Sequence, residues 1–240
     1  MVQLAMQVNL FISGRKLKDL DAFSKSDPQC IVYEKINNSW SKIGVTEQIK
    51  NQLNPDFTTS LQVAYWFEKV QNYKFCMIDG DGTGEFEVIG EVEVTMGALM
   101  GAAKQTWTKD LMQGGQGNRG QIIVRTQAVQ QSNECAKFNV RVTNANNVAG
   151  GCMGMCAERA HFICEIQKEV PGTNNFVTSV TLPGQFNTAD VNMQEKVVTL
   201  GELCNADKDS RLKVVLKNPA TNAIFNEAFT SVTQLVSGNT

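Results

Sequence analysis

The nine residues Asp79–Glu87 read DGDGTGEFE. Four carboxylates, Asp79, Asp81, Glu85 and Glu87, are spaced by glycines that let the backbone turn sharply. Oxygen ligands crowded in this way suit a hard divalent cation, and calcium takes six to eight of them. Two scaffolds present such a loop. In a helix-loop-helix site, Asp79, Asp81, Thr83 and Gly84 would fill the first, third, fifth and sixth places. The twelfth place requires a bidentate glutamate and here is Gly90. The flanks YKFCMI and VIGEVEV are strand sequences, not amphipathic helices. The loop therefore reads as a connection between strands. It cannot complete a calcium shell alone, so a second acidic loop is expected. LKDLDAFSKSDPQC (17–30) supplies one, with Asp21 and Asp27 just ahead of a strand.

The elements that must hold these loops are strands. VNLFI, QCIVYEK, LQVAYWF, YKFCMI and FEVIGEVEV are β-branched or aromatic runs, several alternating with period two. QIIVRTQAV, KFNVRV, HFICEIQ, FVTSVTL, KVVTL, RLKVVL and NEAFTSV continue the series. SDP, LNPDF, GDGTG, GGQGN, PGTNN and NPATN punctuate it as turns. Helical signals are confined to single turns at MGALMGAAK (96–104), LGEL and VTQL. Many short, regularly spaced strands imply an all-β chain of sandwiches or barrels.

A weak internal repeat divides the chain. YKFCMID (73–79) aligns with LKVVLKN (212–218), and IGEVEVTMGAL (89–99) with FNEAFTSVTQL (225–235). A three-residue deletion in the second copy's loop accounts for the change of offset. NLFISGRKL (9–17) is set against VRVTNANNV (140–148). Two copies of one β-domain are expected, over 1–128 and 133–240, joined by the polar stretch QQSNECAK (130–137).

Composition narrows the function. The 240 residues are 42% hydrophobic and 19% charged, with a net charge of −2. Neither half has a basic excess, so nucleic acid is not an expected partner. No apolar run is long enough to span a membrane. The start MVQLAMQVNLFISG reads as a strand rather than a secretory leader. The odd count of seven cysteines points to free thiols in a reducing compartment. A single histidine, His161, disfavours hydrolase chemistry that needs an imidazole base.

LDAFSKSDP, LNPDF, YWFEKVQNYKF and D-x-D-x5-E followed by VIGE resemble a C2 domain. As a tandem pair, with TEQIKNQLNPDF and FEKVQ, the chain is most similar to the N-terminal half of a copine. The similarity is specific in the first domain and weak in the second, and no von Willebrand A-like domain is present in these 240 residues. The resemblance implies two consecutive antiparallel eight-stranded β-sandwiches. It implies calcium ligands at Asp21, Asp27, Asp79, Asp81 and Glu87, the last in a position where the family usually has Asp. The backbone carbonyls of Leu20 and Gly80 are implied as further ligands, with Glu85 a neighbouring carboxylate. Phe23 and Phe86, at the loop tips, are candidates for insertion into a membrane interface.

In the second copy Asn218 stands opposite Asp79, Ala220 opposite Asp81 and Ala223 opposite Glu87. A gapless match of the first loop sets Cys152 against Asp21 and Glu158 against Asp27; shifted by two, Ala160 replaces Glu158. Neither leaves a cage of oxygens, so this domain is expected to act without calcium. GGCMGMCAERAHFIC (150–164) spaces Cys152, Cys156, His161 and Cys164 somewhat like a zinc knuckle. His161 and Cys164, three apart on a strand, would face opposite sides, which disfavours zinc. Met153 and Met155 could meet an apolar partner. Lys50 lies near strand positions that some C2 domains use for phosphoinositides, but one lysine is little charge for that task. No P-loop pattern occurs.

The expected function is calcium-dependent binding to anionic phospholipid membranes, without enzymatic activity. The expected location is the cytoplasm, with peripheral recruitment to membranes as calcium rises. The rival reading is a calcium-insensitive protein-interaction adaptor in a larger assembly.

Overall fold

The structure, a computed structural model, describes residues 5–21, 24–80, 85–117, 119–143, 162–184 and 191–238. The chain divides into two compact units, Met1–Val129 with Pro171–Thr173, and Gln130–Val170 with Asn174–Thr240.

The first unit contains eight strands: β1 (Met6–Arg15), β2 (Pro28–Ile36), β3 (Ser39–Val45), β4 (Leu61–Tyr65), β5 (Asn72–Gly80), β6 (Phe86–Thr95), β7 (Thr106–Asp110) and β8 (Gln121–Ala128). They form two antiparallel sheets, ordered β4-β1-β8-β7 and β3-β2-β5-β6. Period-two patterning explains their packing. Val8, Leu10 and Ile12 of β1, Tyr73, Phe75 and Met77 of β5, and Ile122 and Val124 of β8 turn inward to one buried cluster. Strand β5 is apolar on its other face as well, where Cys76 and Ile78 join Ile31 in a second, smaller cluster. Asn37 and Asn38, both with positive φ, close the β2–β3 hairpin in the left-handed conformation that two-residue turns favour.

Helix α1 (Met96–Met100) follows β6 and is capped by Thr95, whose hydroxyl accepts from the Ala98 amide at 3.2 Å. It realises the single turn expected at MGALM. Strands β3 and β7 were not evident from sequence. Both are edge strands with mostly exposed or half-buried residues, so neither carries a strong alternation of apolar and polar side chains.

The second unit contains β9 (Cys135–Phe138), β10 (Arg141–Val142), β11 (Ile163–Glu169), β12 (Phe176–Pro183), β13 (Val191–Asn192), β14 (Lys196–Thr199), β15 (Leu212–Lys217) and β16 (Ile224–Thr230). Sheet β12-β11-β15-β16 repeats the order of β3-β2-β5-β6. The register repeats too, since Tyr73 faces Val94 in the first unit and Leu212 faces Thr230 in the second. Helix α2 (Leu200–Cys204) precedes β15, and α3 (Val232–Ser237) occupies the place of α1. Ser231 caps α3 as Thr95 caps α1.

The other sheet is reduced to two short ribbons, β14-β9 and β10-β13. Strands β9 and β10 together correspond to β1, and β13 and β14 to β4. The second unit therefore reaches eight described strands by breaking two of them. The repeat near the start also shifts. Val140 and Val142 pack on the second core as Leu10 and Ile12 do on the first, so an alignment pairing Val140 with Asn9 is one residue out of register. Among the described residues, no helix is long and apolar enough to cross a membrane.

Candidate functional site

The acidic loops meet at one end of the sheet β3-β2-β5-β6. Pro28 of β2 pairs with Asp79 of β5, and Asp79 pairs with Glu87 of β6. This ladder brings the end of loop 16–27 beside both ends of loop 81–85. Asp79, only 8% exposed, accepts the Asp27 amide at 2.6 Å through Oδ1. Asp27 in turn accepts the Asn51 amide at 2.7 Å through its own Oδ1. Each of these carboxylates thus spends one oxygen on the backbone and has a second oxygen outside that bond.

The first loop is fastened from within. Ser26 is fully buried; its hydroxyl accepts the Leu20 amide at 2.9 Å, and its own amide donates to Asp19 at 3.1 Å. Ser24 donates to Asp21 at 2.7 Å. A strap formed by residues 46–52 braces the loop from the side. The amides of Ile49 and Gln52 donate to the carbonyls of Pro28 and Ser26 at 3.1 Å each. Gln48 Nε2 donates to the carbonyl of Gly80 at 2.6 Å and to that of Asp27 at 3.3 Å. Asn51, with a φ of 54°, accepts the Lys25 amide at 3.3 Å.

Glu47 anchors the strap itself. Its carboxylate accepts from the amide and hydroxyl of Thr58 and from the amide of Thr59. Burial opposes ionisation of Glu47, but these hydrogen bonds outweigh it and hold the carboxyl below the ordinary glutamate range. Sequence reasoning missed Gln48, Asn51 and Glu47 because their work is bracing between loops. The stretch TEQIKNQ was the available signal.

Asp21, Asp27, Asp79, Glu85 and Glu87 line one cleft of about 480 Å³, with Leu20, Ser24, Gly80 and Phe86. Among the described residues, no lysine or arginine lines it. The donor set is all oxygen, as a hard cation requires. Among the described residues no three acidic, cysteine or histidine side chains already stand together as a metal-ligand cluster. Asp81 lies outside the described residues, as does Phe23. Phe86, 51% exposed, stands at the rim of the cleft and pairs with Gly80 across β5 and β6. The Gly80 carbonyl, an expected extra ligand, already accepts from Gln48 with one of its two lone pairs.

The corresponding loop of the second unit closes on itself. Asn218 Oδ1 accepts the amides of Ala220 and Thr221 at 2.8 and 3.3 Å. The Asn218 amide donates to the Ala223 carbonyl at 2.9 Å. This asparagine-led turn fills the space between the strands with no carboxylate. Residues 144–161 lie outside the described set, and with them Cys152, Met153, Met155, Cys156, Glu158, Ala160 and His161. Cys164 is a core residue, 1% exposed. Burial, aided by the Glu165 charge, pushes its thiol up to about 11.

Lys50 is exposed on the strap. A more developed cationic feature lies on the β3-β2-β5-β6 sheet, where the Lys74 ammonium is 5.3 Å from the ring centres of both Tyr33 and Trp40. Glu91 pairs with the same ammonium at 3.6 Å, so this feature is partly neutralised.

Residues 7–110 match the family model of the C2 domain. Copine-A of Dictyostelium discoideum is 31% identical over 211 residues, which are 86% of this chain and 34% of that protein. Copine-E of the same organism is 45% identical over 101 residues, 39% of this chain and 17% of its own length. The chain is thus similar to copines, and its first unit to C2 domains. The copine-like chain spans about a third of Copine-A and less of Copine-E. Among solved structures, the tandem C2 domains of extended synaptotagmin 2 match 98% of the copine-like chain and 82% of their own, at 15% identity and a TM-score of 0.41.

Proposed function

We propose that the first C2 unit binds calcium in the cleft between its two acidic loops and thereby docks on anionic phospholipid membrane. The carrying observation is that five carboxylates, Asp21, Asp27, Asp79, Glu85 and Glu87, line one cleft with no cationic side chain among the described residues. Asp81, on the same loop, is taken as a further ligand by its position in the motif. Without a cation, this end of the unit repels anionic headgroups. Calcium, when bound, supplies positive charge and coordination places for lipid phosphate or carboxylate oxygens. The bracing of loop 16–27 by Ser26, Gln48 and Asn51 holds the carboxylates in position before the ion arrives. Phe86, at the rim, supplies an apolar contact to the interface once the local charge is reversed.

The second unit is read as a domain that works without calcium, because its 218–223 turn is self-satisfied and carries no carboxylate. The chain is read as a non-enzymatic module, recruited from the cytoplasm to membrane surfaces.

Sedimentation with phosphatidylserine-containing vesicles tests the reading. Calcium should bring the protein down with the vesicles, and the double variant Asp21→Asn with Asp79→Asn should stay in solution. Calcium-independent sedimentation unaffected by the double variant would remove calcium from the mechanism. Absence of lipid binding together with a stoichiometric co-purifying protein would establish the adaptor role instead.

A further inference from the structure

In the first unit, β3 ends one sheet and β4 ends the other, each without a further strand among the described residues. Both line a second cleft, of about 510 Å³, Val45 from β3 and Gln62 and Ala64 from β4. The main chain of β4 is open along it. The Gly14 amide donates to Pro55 and the Ile12 carbonyl accepts from Phe57, so the even-numbered residues of β1 direct their backbone toward β4. Their partners Leu61, Val63 and Tyr65 return those bonds, which turns the backbone groups of Gln62 and Ala64 outward. The Gln71 side chain reaches the Ala64 carbonyl at 2.9 Å, as an outward carbonyl allows.

Among the described residues, Glu34 is the one charged side chain that lines this cleft. Its Oε1 accepts from Gln71 Nε2 at 3.3 Å and from the hydroxyl of fully buried Tyr73 at 3.4 Å. No lysine or arginine pairs with it among the described residues. Lys69 is engaged elsewhere, 4.4 Å from the ring centre of Trp66. Trp66 and Gln71, which also line the cleft, begin and end the turn between β4 and β5. Gln71 Oε1 accepts the Trp66 amide at 2.9 Å, and the Lys69 amide donates to the Trp66 carbonyl at 3.0 Å. This braced turn holds Phe67 and Val70 in water, 87% and 81% exposed. Two bare apolar side chains on a fixed turn suit contact with a partner.

We propose that this cleft receives an extended segment of a partner protein, which pairs with β4, directs an arginine or lysine to Glu34 and rests an apolar residue on Phe67 and Val70. The open backbone of β4 supplies the main-chain hydrogen bonds of strand addition. Glu34 supplies the selection by charge, since a carboxylate without a basic neighbour favours a guanidinium or ammonium. A second copy pairing through its own β4 does not meet this requirement, because that strand reads LQVAY and brings no cation. The site is separate from the acidic calcium loops, as no residue lines both clefts.

The test uses the full chain and a labelled peptide of alternating valine and threonine, with one central arginine and a terminal phenylalanine, followed by fluorescence anisotropy. Saturable binding is expected. Citrulline, the neutral isostere, in place of the arginine should weaken it by about tenfold. Glu34→Gln keeps an acceptor for Tyr73 and Gln71 and should bind the two peptides alike, within about twofold. Gln62→Pro should weaken binding by about tenfold through loss of an edge amide, and Gln62→Ala by about twofold at most. A melting curve shows whether Gln62→Pro remains folded, and the peptide variant is independent of that question. Asp21→Asn with Asp79→Asn should bind the peptide as the wild type does. Absence of saturable binding, equal affinity for the citrulline peptide, or loss of binding in that double variant rather than in Glu34→Gln overturns the proposal. A wild-type dimer in sedimentation velocity that Gln62→Pro dissociates also overturns it, by making a second copy the occupant.

Discussion

Asp79 Oδ1 lies 2.6 Å from the backbone nitrogen of Asp27, so one carboxylate ties together the two loops that carry the acidic cleft. The two roles of Asp79, acceptor and charge, are separable. Asp79→Asn keeps an oxygen for the Asp27 amide and should leave stability within about 0.5 kcal/mol, whereas Asp79→Ala abandons that amide and should cost about 1–3 kcal/mol. Both variants should lose calcium binding. Urea unfolding together with calorimetric calcium titration distinguishes the two effects.

Gly90 stands where a helix-loop-helix site would place its last glutamate, and the structure shows why no side chain is there. A Cβ at this position would meet Leu111 Cβ at 2.9 Å, Arg119 Cβ at 3.1 Å and the Met112 carbonyl at 3.3 Å. Glu91 and Met112 exchange backbone hydrogen bonds of 2.8 and 3.1 Å directly beside it. Gly90→Ala should destabilise the first unit by about 1–3 kcal/mol through overpacking, read as a lowered urea midpoint.

Glu47 makes the first unit sensitive to acid. Its carboxyl is lowered from the ordinary 4.5 in the folded state. A depressed folded value contributes stability above the ordinary range, and that contribution is lost as pH falls below it through the folded value. Glu47→Gln should flatten this part of the acid limb while lowering stability at neutral pH. Urea midpoints measured from pH 7 down to about pH 3 provide the check.

Thiol reactivity should follow burial. Cys30, Cys76, Cys164 and Cys204 are buried and Cys135 is exposed. Burial first, then the Glu91 charge, pushes the Cys76 thiol up to about 11, and burial also raises Cys30 and Cys204. Alkylation of the native protein at neutral pH, mapped by mass spectrometry, should label Cys135 and leave those four until denaturant is added.

Much of the architecture is local in origin and was readable from residue order. The inward rows of β1, β5 and β8 follow from period-two patterning, and the strand flanks of DGDGTGEFE excluded a helix-loop-helix site. The three short helices arose at the turns where they were expected. Edge strands β3 and β7 escaped notice because most of their residues are exposed or only half-buried, which leaves little alternation to read. The bracing of the cleft escaped as well. Gln48, Asn51 and Glu47 are polar residues in a loop, and their importance comes from the backbone groups they happen to meet.

By itself, the sequence raised the expectation of two cooperating acidic loops, because one loop offers fewer oxygens than calcium takes. It also set Asn218, Ala220 and Ala223 of the second copy against Asp79, Asp81 and Glu87 of the first. Only the tertiary structure decided how the loops are joined. The Asp79–Asp27 hydrogen bond and the 46–52 strap depend on sheet register, which sets residues far apart in sequence side by side.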